Sequence, residues 1–125
     1  MTHSATLALI AHDGKKADMV AFALSYKDRL MTYALIATAT TGRLLEEKCG
    51  LAVQKMLSGP LGGDAQIAAM VAEGKIAAVF FFIDPLTSQP HDPDIQGLLR
   101  IANVHNVPIA TNAATALYII SARAI

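Results

Sequence analysis

The stretch Ala77–Ile83 (AAVFFFI) is apolar throughout, rich in aromatic side chains and without a single polar residue. A strand with one face in water alternates apolar and polar residues, because successive side chains point to opposite faces. A run without alternation must be covered on both faces, which is the situation of a strand inside a parallel sheet. The pattern recurs along the chain. Thr6–Ala11 (TLALIA), Tyr33–Ala37 and Val107–Ala110 are short apolar runs, and Ala52–Leu57 is a weaker one, interrupted by Gln54 and Lys55.

Helical spacing fills the intervals. Lys16–Tyr26 carries Met19, Val20, Ala23 and Leu24 on one face, and Asp94–His105 carries Ile95, Leu98, Leu99 and Ala102. Leu44–Cys49, Gly63–Glu73 (stopped by Gly74) and Thr115–Ala122 complete the set. Five apolar strands separated by helices predict an α/β fold with a five-stranded parallel sheet. Right-handed crossovers make it three-layered and doubly wound, Rossmann-like or flavodoxin-like. The length of 125 residues fits a single domain over 1–125.

Charge then narrows the partners. Lys plus Arg and Asp plus Glu number 10 each, so the net charge is zero and gives no broad attraction to nucleic acid or an anionic membrane. Charged residues are 16% and apolar types 54%, against about 25% charged in an ordinary soluble domain. So few charges predict that another subunit covers part of the surface. The longest apolar run, Ile76–Ile83, falls far short of the ~20 residues of a membrane-spanning helix. The N-terminus lacks a basic leader pattern, and a cytoplasmic protein is expected. Cys49, the single cysteine, reads as a small buried hydrophobe.

In a doubly wound fold, ligands bind outside the carboxyl ends of the strands. The segments leaving those ends are His12–Lys16, Thr38–Gly42, Ser58–Asp64, Asp84–Leu86 continuing to Pro90–Asp94, and Thr111–Asn112. They hold five of the ten acidic residues and two of the four histidines. A merely solvated surface would scatter these groups. Ser58–Asp64 is rich in glycine and opens a helix, and Thr38–Gly42 brings three hydroxyls to another. Both can offer backbone N–H groups to an anion. Neither matches a standard nucleotide loop, and with Lys16 they suit one phosphate group. Turn and capping chemistry explains either loop alone. Asp64 and His91 could supply a carboxylate base and a shuttling imidazole. A magnesium site from Asp13, Asp84 and Asp94 is a rival use of the acids. His3 reads as disordered, and His105 as interacting with a helix C-terminus.

The stretches IAHDGKK (10–16), TATTG (38–42), LSGPLGGDAQI (57–67), FFIDPL (81–86), PHDPD (90–94) and LLRIANVHNVPIATNAATA (98–116) together resemble the methylglyoxal synthase family, in order and spacing, over nearly the whole chain. The resemblance implies a lyase that converts dihydroxyacetone phosphate to methylglyoxal and inorganic phosphate, with no metal or organic cofactor. It implies that Asp64 is the catalytic base, that His91 polarises the carbonyl and moves protons, and that Asp94 supports them. His12, Lys16, Thr38, Thr40, Thr41, Ser58 and Gly59 would hold the substrate and its phosphate. A homohexamer inhibited allosterically by phosphate is also implied. Two positions depart from the family: Ala39 replaces a glycine in the threonine-rich loop, and Leu117 replaces an aspartate. If position 39 needs φ > 0, alanine there costs on the order of 1 kcal/mol. The alternative is a regulatory module of the same fold that binds phosphate or another small ligand.

Overall fold

A computed structural model describes residues 5–122, so His3 lies outside the described residues. The chain runs β1 (Thr6–Ala11), α1 (Lys16–Ser25), α2 (Lys27–Leu30), β2 (Ala34–Ala37), α3 (Ala39–Cys49), β3 (Gln54–Lys55), α4 (Gly63–Ala72), β4 (Ala78–Phe82), α5 (Asp92–Val104), β5 (Ile109–Ala110) and α6 (Ala113–Ala122). All strand pairs are parallel. The order is β3-β2-β1-β4-β5, the Rossmann order. A flavodoxin-like sheet would start 2-1-3, so that half of the expectation is set aside. The direction of winding reverses between β1 and β4, and a crevice opens there at the strands' carboxyl ends.

Both sheet faces are buried, which is why the strands lack alternation. Leu7, Leu9, Ala11, Ala78, Phe80 and Phe82 face the layer formed by α1, α2, α3 and α6. Ala8, Ile10, Val79 and Phe81 face the opposite core, which includes Ile67 and Val71 of α4 and Ile95 and Leu98 of α5. Phe80, Phe81 and Phe82 are all shut off from solvent, and each such ring stabilises the fold by about 1.5–3 kcal/mol. Cys49 is buried as expected, and burial pushes its thiol pKa up.

The short helix α2 was not expected, α6 starts two residues earlier and β5 two residues later than expected, and three further differences bear on the site and the sheet edge. The β3 ladder is only Gln54 and Lys55, both exposed on the sheet edge, so the two residues that weakened the strand pattern are the ones that pair. Helix α5 starts two residues earlier, at Asp92, with Pro93 in its first turn where a missing N–H costs nothing. Helix α3 starts at Ala39 rather than Leu44, which makes most of the threonine-rich segment its first turn.

That last point corrects the concern over Ala39. Among the described residues other than glycine, Asn106 alone has positive φ, so Ala39 sits in ordinary helical backbone. Alanine is preferred there over glycine by about 0.5–1 kcal/mol. Ala39→Gly is therefore expected to lower stability by that amount in a denaturant melt. A stabilised variant would contradict the helical assignment.

Candidate active site

Among the described residues, four polar or charged side chains are buried: His12, Thr38, Thr41 and Asp64. All four lie at the carboxyl end of the sheet, where the first turns of α3 and α4 meet the exits of β1 and β4. Burying polar groups costs free energy unless partners satisfy them. Here much of that satisfaction is missing. Nε2 of His12, Nδ1 of His91 and both carboxylate oxygens of Asp64 are buried and lack a hydrogen-bond partner.

These groups border a cavity of about 280 Å³, lined by His12, Lys16, Thr38, Thr40, Ser58, Gly59, Asp64 and His91 together with Asp13, Pro60 and Gln89. Eight of the ten expected site residues thus border one space. The other two stand apart from its lining. The Thr41 hydroxyl accepts the Ala11 N–H at 3.3 Å and lies 3.4 Å from the Thr38 hydroxyl, so it ties α3 to the end of β1. Asp94, in the first turn of α5, does not line the cavity, but its charge contributes to the raised pKa of Asp64. Gln89 escaped sequence reasoning because nothing in its residue type marks it.

Asp64 is the most unusual group. It follows Gly63 at the start of α4 and is fully buried, and burial pushes its pKa above the ordinary value of 3.8. The charge of His91 opposes this shift and Asp94 adds to it. The His91 Nε2 lies 3.1 Å from Asp64 Oδ2, close enough for charge contact. Neither carboxylate oxygen is aligned for a hydrogen bond. Gly59 makes this placement of the ring possible, because a Cβ there would fall 2.7 Å from His91 Nε2.

His12 is held differently. Its Nδ1 accepts the Asp84 backbone N–H at 2.9 Å, so in the neutral ring the proton sits on Nε2, which borders the cavity. Burial lowers its pKa, and the neighbouring His91 and Lys16 add to the effect, although Asp84 and Asp13 oppose it. The ring remains a neutral donor over a wider pH range than a free imidazole.

The Lys16 ammonium donates to the Ala11 carbonyl at 2.7 Å and to Asp13 Oδ1 at 2.9 Å. An ammonium has three protons, so one is left to face an anion. The N-termini of α3 and α4 have no side-chain cap. Thr38 and Thr40 at the start of α3, and Ser58 and Gly59 in the short turn that leads into α4, line the cavity wall beside these uncapped ends, and uncapped helix starts offer free N–H groups to anions.

The rival magnesium trio is not assembled. Asp13 is paired with Lys16, and Asp84 Oδ1 accepts the Leu86 N–H at 3.0 Å. Among the described residues no group of three or more His, Cys, Asp or Glu is placed to hold a metal ion.

Fold and site together define a parallel α/β protein in which a buried carboxylate and two imidazoles line a cavity beside the uncapped start of α3. The model of the MGS-like domain family matches residues 18–111. Methylglyoxal synthase from Thermus thermophilus is 62% identical over 110 residues, 88% of this chain and 87% of that protein. Methylglyoxal synthase from Clostridium beijerinckii is 56% identical over 114 residues, covering 91% and 96%. The crystal structure of methylglyoxal synthase from Elizabethkingia anophelis superposes with a TM-score of 0.89 at 46% identity, over 94% of this chain and 78% of that one. The chain belongs to the methylglyoxal synthase family.

Proposed function

We propose that this chain is a lyase that converts dihydroxyacetone phosphate to methylglyoxal and inorganic phosphate. The observation that carries the reading is Asp64: a fully buried carboxylate with no hydrogen-bond partner, beside an anion cradle. A module that only binds phosphate gains nothing from a buried negative charge near its ligand. A base for a carbon acid needs one. Its raised pKa makes Asp64 a stronger base than a solvated carboxylate.

The steps follow from the positions of the side chains. Asp64 removes a proton from the hydroxymethyl carbon, and the electron pair moves onto the carbonyl oxygen to form an enediolate. Donors aimed at that oxygen stabilise it, and removing one such donor typically costs ~3–4 kcal/mol of barrier. His91, in contact with Asp64, polarises the carbonyl and carries the proton between the two oxygens. The Nε2–H of His12 supplies a second donor. Collapse of the enediolate breaks the C–O bond to phosphate and leaves the enol of methylglyoxal, which takes up a proton at carbon. Lys16, Thr38, Thr40, Ser58 and Gly59 hold the phosphate at the start of α3 and at the turn that leads into α4, and the α3 N-terminus there favours the charge that develops as it leaves. Thr41 and Asp94 act through Thr38 and Asp64.

The reaction as read uses no metal and no organic cofactor. It extends over one domain, residues 1–125, and to a homohexamer in the cytoplasm. Exposed Leu61, Leu86 and Tyr118 (71%, 93% and 75%) offer apolar surface for subunit contacts. No helix among the described residues is long and apolar enough to cross a membrane. The test is to incubate the purified protein with dihydroxyacetone phosphate, with and without EDTA. Methylglyoxal is expected to form at the same rate in both. Phosphate binding without methylglyoxal would favour the regulatory module, and phosphate release without methylglyoxal, abolished by EDTA, would favour a metal-dependent phosphatase.

A further inference from the structure

The proposed reaction needs His12 to present a proton, and a neutral imidazole can carry that proton on either nitrogen. Which nitrogen holds it is decided from outside the cavity. The backbone N–H of Asp84 points at His12 Nδ1 from 2.9 Å, so a proton on Nδ1 would clash with a donor. The Asp84 carboxylate fixes that N–H in turn. Its Oδ1 accepts the Leu86 N–H at 3.0 Å and closes a tight turn where the chain leaves β4. Gly14 leaves the space for the carboxylate, because a Cβ at position 14 would fall 2.5 Å from Asp84 Oδ2 and turn it away.

We propose that Asp84 is a positioning residue for His12, given its room by Gly14: its side chain locks the turn whose backbone N–H keeps Nδ1 bare and Nε2–H facing the cavity. The inference rests on the functional reading above for its consequence, but the tautomer can be read without any turnover. The side chain of Asp84 has no part in the chemistry and acts on the reacting oxygen only through the imidazole of His12. For metal-bound imidazoles, losing the partner that orients the ring costs roughly 10–100-fold, and a loss of that order is expected for His12.

The experiment is a nitrogen–proton correlation spectrum of protein labelled with nitrogen-15 histidine, with His12 assigned by its absence in His12→Asn. In the wild type, His12 is expected as the Nε2–H tautomer at neutral pH. Asp84→Ala should give a tautomer mixture and lower kcat by about tenfold, with a smaller change in KM, since the donor acts mainly in the transition state. Asp84→Asn, whose amide oxygen can still accept the Leu86 N–H, should retain the wild-type spectrum and most of kcat. Gly14→Ala should reproduce the spectrum of Asp84→Ala. The Nδ1–H tautomer in the wild type would overturn the proposal without recourse to any variant. So would an Asp84→Ala protein that loses kcat while His12 remains wholly Nε2–H. A wild type with the expected tautomer that makes no methylglyoxal would refute the functional reading and leave the positioning role standing.

Discussion

Asp64→Asn is expected to lower turnover by at least ~10³-fold while leaving the protein at least as stable as the wild type at neutral pH. The two effects have one cause. Burial raises the Asp64 pKa and outweighs the attraction of His91, so the ionised carboxylate costs the fold free energy. The sign follows from linkage. The folded protein holds this proton more tightly than the unfolded chain, so the stability contributed by Asp64 is intact below 3.8 and is lost as pH rises through the elevated folded value. Asparagine removes the charge and with it the penalty. The advantage of the variant in thermal melts should therefore shrink as pH falls toward 4, and turnover of the wild type should rise over the same pH range in which Asp64 ionises. A variant with near wild-type turnover would remove Asp64 as the base. Marked destabilisation at pH 7 would show that the contact with His91 outweighs burial.

Gly63→Ala is expected to do the opposite and damage fold and activity together. A Cβ on Gly63 would lie 2.0 Å from the Leu57 carbonyl oxygen and 2.9 Å from both the Leu57 carbonyl carbon and Thr38 Cγ2. That carbonyl has little freedom to withdraw, since it accepts the Ala39 N–H at 3.4 Å where α3 begins. The Gly63 N–H is itself bonded to the Ser58 carbonyl at 2.9 Å. The starts of α3 and α4 therefore meet at a point with no room for a methyl group. Relieving the clash requires backbone movement, and overpacking of this kind costs ~3 kcal/mol or more. In a chain of this size that is a fall in Tm of roughly 10 °C. The next residue is Asp64, and a displacement of about 1 Å there costs on the order of 10² in rate. A melt and a turnover number both close to wild type would show that the junction is looser than its distances indicate.

The fold was largely legible because burial on both faces of the sheet leaves a direct trace in the residues. Ala78–Phe82 has cores on either side, so no position in it tolerates a polar side chain. Strand β3 lies on the edge with Gln54 and Lys55 exposed, and there the composition no longer reports the pairing. The start of α3 was hidden for a related reason. Threonine and glycine are poor helix formers, so the 38–42 segment reads as a loop, whereas Thr38 is the extended residue just before α3 and Thr40 and Thr41 lie in its opening turn. The polar residues of the site were legible as a set, because strand order brings distant loops to one edge. Their individual duties were not. Thr41 bonding to β1, Gly59 making room for His91 and the Asp84 N–H on His12 are relations between elements, and residue type carries no sign of them.

Elimination of phosphate from a three-carbon keto phosphate by one buried carboxylate has a fixed stoichiometry, which can be followed for wild-type protein and dihydroxyacetone phosphate by proton and phosphorus NMR in the same tube. Methylglyoxal and inorganic phosphate are predicted to appear in equal amounts, matched to the substrate lost, and the Asp64→Asn protein should produce neither above background. Phosphate accompanied by dihydroxyacetone, or conversion to the isomeric aldehyde phosphate without phosphate release, would contradict it.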